Sequence, residues 1–201
     1  MLRLVLATHN EGKVKEIRAK LKDYPIVVEC LHDYPQIPEI EENGKTFSDN
    51  AVLKATVVSR YTNLPALADD SGLKIDYLGG KPGVYSARWG KTDKERIEKV
   101  LKELQGVVEK QRKACFICVM SLVIPENIVY IGKGICSGKI TLLPRGQSGF
   151  GYDPIFIPDG YELTFAQMGE QTKNKISHRF IALDKIVQKI IAHYNFNKLS
   201  E

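Results

Sequence analysis

Residues 2–21, LRLVLATHNEGKVKEIRAKL, decide the class of the fold. Residues 2–7 form a short apolar run that predicts a first β-strand. After a polar loop, Val14, Ile17 and Leu21 recur at the spacing of one helix face, which predicts a helix over residues 13–21. The chain therefore opens with a strand, a tight loop and a helix, an order that is typical of α/β proteins.

The rest of the chain continues with strands and helices. The later predicted elements are a helix over residues 46–60 with Thr46 as its N-cap, a brief strand from Leu64 to Ala68, a helix over residues 92–105 with a Thr92–Glu95 capping box, strands from Ala114 to Ile124 and from Ile128 to Cys136, and an amphipathic helix from Ser177 to Tyr194. We predict an α/β fold with a mixed central sheet flanked by helices, in a single domain over residues 1–201.

Composition and charge exclude several classes of protein. The chain has 201 residues, of which 43% are hydrophobic and 26% charged, so a disordered chain is excluded. The net charge of +5 is spread along the chain and does not by itself indicate a nucleic-acid binder. The sequence has no apolar run of transmembrane length, and the first apolar run is too short for a signal peptide. We expect no membrane partner and a cytoplasmic location.

The four cysteines do not form a disulfide framework in a chain of this length. Cys115 and Cys118 make a C-x-x-C pair, but they lie inside a predicted strand whose alternation points them to opposite faces. No second C-x-x-C is present to complete a zinc site. We interpret these thiols as buried and inert.

The first polar cluster, Thr8-His9-Asn10-Glu11-Gly12-Lys13, joins the first strand to the first helix. Backbone N–H groups and the positive end of the helix dipole face outward there and could hold phosphate groups. The cluster is not a Walker A loop, which needs a different glycine spacing. An ordinary turn with a helix cap is the alternative interpretation.

Two acidic clusters follow. Glu41-Glu42 precedes a turn at Gly44, and Lys54 lies inside the second predicted helix. Asp69-Asp70-Ser71-Gly72 follows an apolar strand, where carboxylates suit a hard cation such as Mg²⁺. In an extended chain the two aspartates point opposite ways, so one would touch the metal and the other could orient or deprotonate a water. A solvated surface loop is the alternative for either cluster.

Glycine-rich segments occur twice more. Residues 79–83, GGKPG, demand unusual backbone conformations before Ser86-Ala87-Arg88. Residues 145–154, RGQSGFGYDP, carry two aromatic residues that could stack on a nucleobase or close a hairpin in the core. Lys173 and Ser177-His178-Arg179 lie near the start of the last predicted helix and could donate to a ligand oxygen.

In this order and spacing, the clusters resemble the inosine triphosphate pyrophosphatase family, the pyrophosphatases that remove non-standard purine nucleotides. The matching motifs are Thr8-x-Asn10-x-x-Lys13, Glu41-Glu42 with Gly44, Ala68-Asp69-Asp70-Ser71-Gly72, Gly79-Gly80-x-Pro82-Gly83, Ser86-Ala87-Arg88, Phe150-Gly151-Tyr152-Asp153-Pro154 and Ser177-His178-Arg179. Each motif alone is weak, but seven in register over nearly the whole chain are specific.

The resemblance implies a two-lobed α/β fold with an active-site cleft between the lobes, assembled as a homodimer. It also implies a hydrolase that converts ITP, dITP and XTP to the monophosphate and pyrophosphate with Mg²⁺ as cofactor. A donor aimed at the 6-keto oxygen would favour these bases over adenine, whose amino group would leave a buried donor unpaired. We therefore expect a purine nucleoside triphosphate substrate and no nucleic-acid partner.

The resemblance also assigns roles to individual residues. The catalytic proton acceptor is Asp70, and the metal ligands are Glu41 and Asp70. The substrate-binding residues are Thr8, His9, Asn10, Glu11, Gly12, Lys13, Lys54, Ser71, Phe150, Gly151, Tyr152, Asp153, Lys173, His178 and Arg179. Arg88 is a less certain addition. The choices between Glu41 and Glu42 as ligand, and between Asp69 and Asp70 as base, stay open.

Two positions depart from the family pattern. His9 stands where a small residue is common, which affects the phosphate loop, and Ser148 interrupts a glycine-rich stretch beside the base. Neither departure removes a catalytic group. Two other functions were weighed: a pyrophosphatase for modified pyrimidine or methylated nucleotides, and a non-catalytic nucleotide- or RNA-binding module, against which the intact set of carboxylates argues.

Overall fold

A computed structural model describes residues 1–196, so residues 197–201 of the predicted domain lie outside the described part of the chain. The strands are β1 (Leu2–Leu6), β2 (Ile26–Cys30), β3 (Ala66–Ile75), β4 (Lys113–Ile124), β5 (Ile128–Ile140) and β6 (Phe156–Pro158). The α-helices are α1 (Glu11–Leu21), α2 (Phe47–Thr62), α3 (Asp93–Glu103), α4 (Glu170–Ile176) and α5 (His178–Tyr194). Among these described helices, none has the length and apolar character needed to span a membrane.

The six strands form one sheet in the order β2-β1-β3-β4-β5-β6. β1 pairs in parallel with both β2 and β3, whereas β5 and β6 pair antiparallel. The predicted α/β fold with a mixed sheet is therefore confirmed. The chain also divides into two compact units, and β3, β4 and β5 each contribute residues to both.

Unit 1 consists of residues 1–70, 118–133 and the C-terminal segment from Phe180. Its larger core lies on one face of the strands, where Ile17 of α1 and Ile186 of α5 pack against Leu67 of β3. A smaller core on the other face brings Ala55 and Val58 of α2 against Ala66 and Ala68. Alternate residues of β3 therefore face different helices.

Unit 2 consists of residues 71–117 and 134–179, and aromatic rings fill much of its core. Phe116 lies edge-on to Phe156, with ring centroids 4.7 Å apart. The core also holds a buried arginine, Arg112, whose three guanidinium nitrogens donate to the carbonyl oxygens of Leu104, Ile140 and Thr141 at 2.7–3.0 Å. These bonds fasten the end of α3 to the end of β5.

The helix caps follow the sequence closely. Thr46 caps α2 by accepting from the N–H of Asp49, and Thr92 caps α3 by accepting from the N–H of Glu95. The predicted Thr92–Glu95 capping box is only half formed, because the Glu95 carboxylate accepts from the Lys91 N–H at 2.8 Å instead of from Thr92. The Asp49 carboxylate also accepts from the Thr46 N–H, which completes a capping box. The three-residue turn at the end of β3 uses positive φ at Gly79 and Gly80, as the glycine run predicts.

The sequence failed to predict several elements and predicted others as too short. β3 has ten residues and continues through the Asp69-Asp70-Ser71-Gly72 motif, whereas the prediction ended the strand at Ala68. β5 likewise continues to Ile140 rather than ending at Cys136. β2, β6 and α4 were not predicted, because segments of three to seven residues carry too little periodicity.

The four cysteines are free thiols, as expected. Cys118 lies fully buried in the larger core of unit 1, and Cys30 and Cys136 are also buried. Cys115 is only half-buried, so the expectation of burial is wrong for this one thiol. Burial raises the pKa of Cys136 to about 11, which makes that thiol unreactive near neutral pH.

Candidate active site

The loop between β1 and α1 has the geometry of an anion site. Asn10 is the N-cap of α1, and its side chain accepts from the N–H of Lys13 at 3.1 Å. The Thr8 hydroxyl in turn accepts from the N–H of Asn10 at 3.1 Å. His9 and Glu11 are exposed, while Thr8, Gly12 and Lys13 are half-buried. The predicted phosphate loop is thus a capped helix start, in which the N–H groups of Asn10 and Lys13 already donate to side chains.

Asp69 lies on the face of β3 that packs against α1. Its carboxylate forms an ion pair with Lys13 at 3.0 Å, and Cys118 lies 4.0 Å from the same oxygen. The Asp69 backbone carbonyl accepts from the Lys54 ammonium at 2.7 Å. Asp69 therefore holds two cations, one through its side chain and one through its backbone.

Asp70 faces the other way, toward α2, as the alternation of a strand requires. Its carboxylate accepts from the Asn50 amide at 2.9 Å and is 6% exposed. Burial raises the pKa of Asp70 above its ordinary value, and the negative charges of Glu42 and Asp69 add to this shift. The Asn50 hydrogen bond and the Lys54 charge oppose it without cancelling it.

Lys54 links β3, which carries the two aspartates, to the loop that carries Glu42. Its ammonium donates to the Glu42 carboxylate as well as to the Asp69 carbonyl. Burial lowers the pKa of Lys54, but the charges of Asp69 and Glu42 outweigh burial and leave that pKa above its ordinary value. Lys54 therefore stays charged. We call Lys13, Glu42, Lys54, Asp69 and Asp70 the acidic edge of unit 1.

The two glutamates of the loop are in different surroundings. The Glu42 side chain lies beside Lys54 and close enough to Asp70 to raise its pKa. Glu41 is exposed on the same loop. Of the two candidates for the second metal ligand, Glu42 is thus the one that the fold places with Asp70.

The second group of predicted residues lies in unit 2, around a glycine-rich loop. Asp153 accepts from the N–H of Phe150 at 2.9 Å and from the Lys173 ammonium at 2.7 Å. The Lys173 ammonium also lies 4.5 Å from the centre of the Phe150 ring, and the Arg179 guanidinium lies 5.4 Å from it. We call residues 149–153 the aromatic loop. Its half-buried ring faces two cations at cation–π distance.

The remaining residues of this group vary in exposure. Tyr152 is 4% exposed, and its hydroxyl donates to the Ser86 carbonyl at 2.8 Å, so this ring belongs to the core. His178 is buried and stacks on Phe116 with centroids 4.6 Å apart. Arg179 is buried, with one guanidinium nitrogen 3.5 Å from the Ser71 hydroxyl.

Arg88 is exposed and lies over the ring of Tyr85.

The sequence did not predict one residue that contacts the acidic edge. Asn50 is fully buried; its amide donates to Asp70 and its oxygen accepts from the Gly44 N–H at 2.8 Å. The available signal was a polar pair, Asn50 and Lys54, one helical turn apart on a helix whose other buried residues, apart from Ser59, are alanine and valine.

The acidic edge suits a hard cation. The negative charge of Glu42 adds to the raised pKa of Asp70, and a bound cation would relieve this repulsion. Within residues 1–196, no group of three or more His, Cys, Asp or Glu side chains is arranged to hold a metal ion. Two carboxylates are nevertheless what Mg²⁺ commonly uses, because water and substrate phosphates complete its shell.

Comparison with known proteins identifies relatives along nearly the whole chain. The sequence model of the Ham1 family matches residues 4–189. A dITP/XTP pyrophosphatase from Bacillus licheniformis is 47% identical over 189 residues, covering 92% of this chain and 96% of the relative. Another with that name from Synechocystis sp. is 48% identical over 187 residues, covering 92% and 94%.

Solved structures give the same result. A HAM1 protein from Coxiella burnetii has a TM-score of 0.87 at 42% identity, covering 96% of this chain and all 100% of that one. The Staphylococcus aureus Ham1 protein has a TM-score of 0.84 at 35% identity, covering 96% and 99%. This chain belongs to the Ham1 family. The resemblance drawn from the seven motifs is confirmed, and so is the prediction of a hydrolase, since both sequence relatives are named pyrophosphatases.

Proposed function

We propose that this chain hydrolyses non-standard purine nucleoside triphosphates, namely ITP, dITP and XTP, to the nucleoside monophosphate and pyrophosphate. This activity would remove such nucleotides from the cellular pool. One observation carries the proposal: a buried aspartate of raised pKa, Asp70, lies near the charged Lys54 and directly follows Asp69, which pairs with Lys13 of the capped helix α1. The names of the sequence relatives support the same substrate class.

The phosphate chain is assigned to unit 1. The Thr8–Lys13 loop offers backbone N–H groups at the start of α1, and the Lys13 and Lys54 ammonium groups supply positive charge. A nucleoside triphosphate carries about four negative charges, which would repel a nucleophilic water unless cations offset them. Both lysines are held by acidic partners, so their charges are already placed before a substrate binds.

We assign Asp70 and Glu42 as the ligands of Mg²⁺, with Glu41 as the exposed alternative. When bound, Mg²⁺ would neutralise phosphate charge and polarise the phosphorus–oxygen bond. The protein's own part is to hold the two carboxylates: Asn50 fixes Asp70, and Lys54 fixes Glu42.

Asp70 is also assigned as the proton acceptor for the attacking water. A carboxylate of raised pKa is a stronger base than an ordinary aspartate once it is ionised, which favours proton transfer from water. Water adds to phosphorus, its proton passes to the Asp70 carboxylate, and the anhydride bond to the leaving group breaks. Asp69 is occupied by Lys13, which favours Asp70 in this role.

Base recognition is assigned to unit 2. The Phe150 ring offers a stacking surface, and Lys173, His178 and Arg179 offer hydrogen-bond donors to a 6-keto oxygen. An adenine amino group would leave such donors unpaired, a penalty that can reach about 10⁴-fold. The Asp153 carboxylate keeps the Lys173 ammonium beside the ring.

We also propose a homodimer in the cytoplasm. Val129 and Ile131, 44% and 51% exposed, alternate along β5 and form an apolar strip that a second copy of this chain could cover. Analytical ultracentrifugation of the wild type should give twice the chain mass, and a monomer at micromolar concentration would refute this assembly. The cytoplasmic assignment follows from the substrate, which belongs to the nucleotide pool.

Product analysis tests the reaction itself. The wild type is incubated with dITP in the presence of Mg²⁺, and the products are followed by phosphorus NMR. We expect monophosphate and pyrophosphate in equal amounts, and no turnover after EDTA is added. Release of inorganic phosphate together with a nucleoside diphosphate would overturn the assignment of which anhydride bond is cleaved. Full activity in EDTA would overturn the metal assignment.

A further inference from the structure

Asp93, the first residue of α3, lies outside every motif that the sequence analysis selected. Its carboxylate accepts from the backbone N–H of Gly151, in the middle of the aromatic loop, at 2.7 Å. The other carboxylate oxygen accepts from the Arg96 guanidinium. Asp93 and Gly151 both belong to unit 2, and the Asp93 side chain is 46% exposed. A helix with no assigned role thus contacts the loop that carries Phe150.

Three consecutive residues of the aromatic loop each donate a hydrogen bond to a defined acceptor. Phe150 donates its N–H to Asp153, Gly151 donates its N–H to Asp93, and Tyr152 donates its hydroxyl to the Ser86 carbonyl. The first of these bonds is internal to the loop. The other two bonds tie the loop to other parts of unit 2. Of these two, the Gly151 bond has a charged acceptor, the Asp93 carboxylate, whereas the Tyr152 bond has a neutral carbonyl.

The backbone at Gly151 makes this bond decisive for the ring next to it. Gly151 has φ of +61°, which is only one of many backbone conformations that an unrestrained glycine can adopt. A fixed N–H at Gly151 fixes the peptide plane that leaves Phe150, and so restricts the backbone from which the Phe150 ring projects. Loss of the acceptor would return conformational freedom to the residue that follows the ring.

The carboxylate is itself held in place. Arg96, which holds one Asp93 oxygen, also donates through Nε to the Gly90 carbonyl at 3.0 Å. The Asp93 side chain therefore keeps one orientation, with one oxygen toward Arg96 and the other toward Gly151. A hydrogen bond from an N–H to an ionised acceptor is about twice as strong as a neutral one.

We propose that Asp93 is a positioning residue for the purine base: through the Gly151 N–H it holds Phe150 where the base stacks. This inference rests on the proposed function, in which Phe150 supplies the stacking surface. Asp93 is not among the groups assigned to the base or the phosphates, and it acts through the Gly151 N–H. Its removal should weaken binding of the nucleoside part and leave binding of a bare phosphate chain unchanged.

The test compares two ligands in four full-length proteins. KM and kcat for dITP, and the inhibition constant for tripolyphosphate, are measured for the wild type, D93A, D93N and E98A. Tripolyphosphate carries the phosphate chain without a base. Glu98 is an exposed carboxylate on the same helix and serves as the matched control.

We expect D93A to raise KM for dITP about tenfold, with kcat within about twofold of the wild type. The inhibition constant for tripolyphosphate should not change. D93N, whose amide oxygen still accepts from the Gly151 N–H, should return KM to within about threefold of the wild type. E98A should match the wild type in all three quantities.

Three results would overturn the inference: an unchanged KM in D93A, an equal rise in the tripolyphosphate constant, or a D93N enzyme as impaired as D93A. The second result would indicate general damage to the fold. If thermal melts show that D93A does not fold, D93S takes its place, because serine keeps a polar group in the first helical turn but is too short to reach Gly151. A wild type that does not hydrolyse dITP would refute the proposed function and this inference with it, whereas an active wild type with an unaffected D93A refutes this inference alone.

Discussion

The acidic edge of unit 1 and the aromatic loop of unit 2 hold their charges in different ways. At the acidic edge, two lysines are shared among three carboxylates, and burial raises the pKa of Asp70, with the negative charges of Glu42 and Asp69 adding to the shift. At the aromatic loop, one buried carboxylate, Asp153, holds one lysine against a ring. In the proposed function, the first arrangement would hold a cation and a water, and the second would present donors and a flat surface to a neutral base. Changes at the two places should therefore have separable effects.

The largest effect is expected from Asp70→Asn. Loss of the proton acceptor should lower kcat by about 10²- to 10⁴-fold for every triphosphate, because Asn cannot take a proton from water. Steady-state kinetics on dITP and XTP measure this directly. Asp76→Asn, an exposed acid just beyond the end of the same strand, is the control and should keep its activity.

The same variant also has a predicted pH signature in folding. The folded state raises the pKa of Asp70, so it binds the proton more tightly than the unfolded chain does. The stability that this provides is present at low pH and is lost as the pH rises through the folded pKa. In EDTA, D70N should therefore melt above the wild type at pH 7, and the difference should shrink toward pH 4. A D70N protein that melts below the wild type at pH 7 would contradict the account of Asp70's surroundings.

The second largest effect is expected from Lys13→Met. Removal of this charge should lower kcat/KM by roughly 10- to 100-fold for all triphosphates alike and weaken tripolyphosphate binding by a similar factor. Inhibition kinetics with tripolyphosphate check the second part. Lys15→Met, two residues further along α1 and exposed, should have no such effect. A loss of kcat/KM in K13M that differs between nucleotides with different bases would contradict the separation of phosphate binding at the acidic edge from base binding at the aromatic loop.

A smaller and opposite pattern is expected from Phe150→Ala. Loss of the stacking ring should raise KM for dITP about tenfold while the tripolyphosphate inhibition constant stays the same. Tyr161→Ala, an aromatic residue of unit 2 that is 43% exposed, is the matched control. Equal weakening of both ligands in F150A would mean that the aromatic loop does not act on the base alone.

The smallest effect is expected from Arg3→Ala, far along β1 from the predicted phosphate loop. Arg3 donates to Glu29, and this hydrogen bond lowers the pKa of Glu29 below its ordinary 4.5. That contribution to stability is present at neutral pH and is lost as the pH falls through the folded pKa. R3A should therefore melt slightly below the wild type at pH 7 and level with it near pH 3, with unchanged kinetics. Altered kinetics would show that charges outside the acidic edge also act on the substrate.

Much of the acidic edge could be predicted from the sequence, because its parts are local. Asn10 caps the helix that carries Lys13, and Asp69 and Asp70 alternate along one strand, so their opposite directions follow from strand geometry. The length of β3 could not be predicted, since four polar or small residues interrupt its apolar pattern. The position of Glu42 rather than Glu41 beside Lys54 also depends on the loop's path, which no periodicity fixes.

The aromatic loop was harder to predict, because its contacts join distant parts of the sequence. Asp93 lies 58 positions from Gly151, and Lys173 lies 20 positions from Asp153 on a helix of seven residues. Tyr152 has the same sequence context as Phe150 but is buried through a bond to Ser86. A motif could mark these residues as a group, but only the fold separates the ring that faces cations from the ring that belongs to the core.

One measurement tests the central claim, that the base is read separately from the phosphates, most directly. Pyrophosphate release by the wild type is compared for ITP, XTP, GTP, ATP and UTP with Mg²⁺, and then with EDTA. We expect fast, metal-dependent turnover of ITP and XTP and slow turnover of ATP and UTP, whose bases lack the purine 6-keto oxygen; GTP shares that oxygen, so its rate measures whether the site also reads the 2-amino group. Equal rates on all five would contradict the assignment of base recognition to unit 2, and no turnover on any of them would contradict the proposed function.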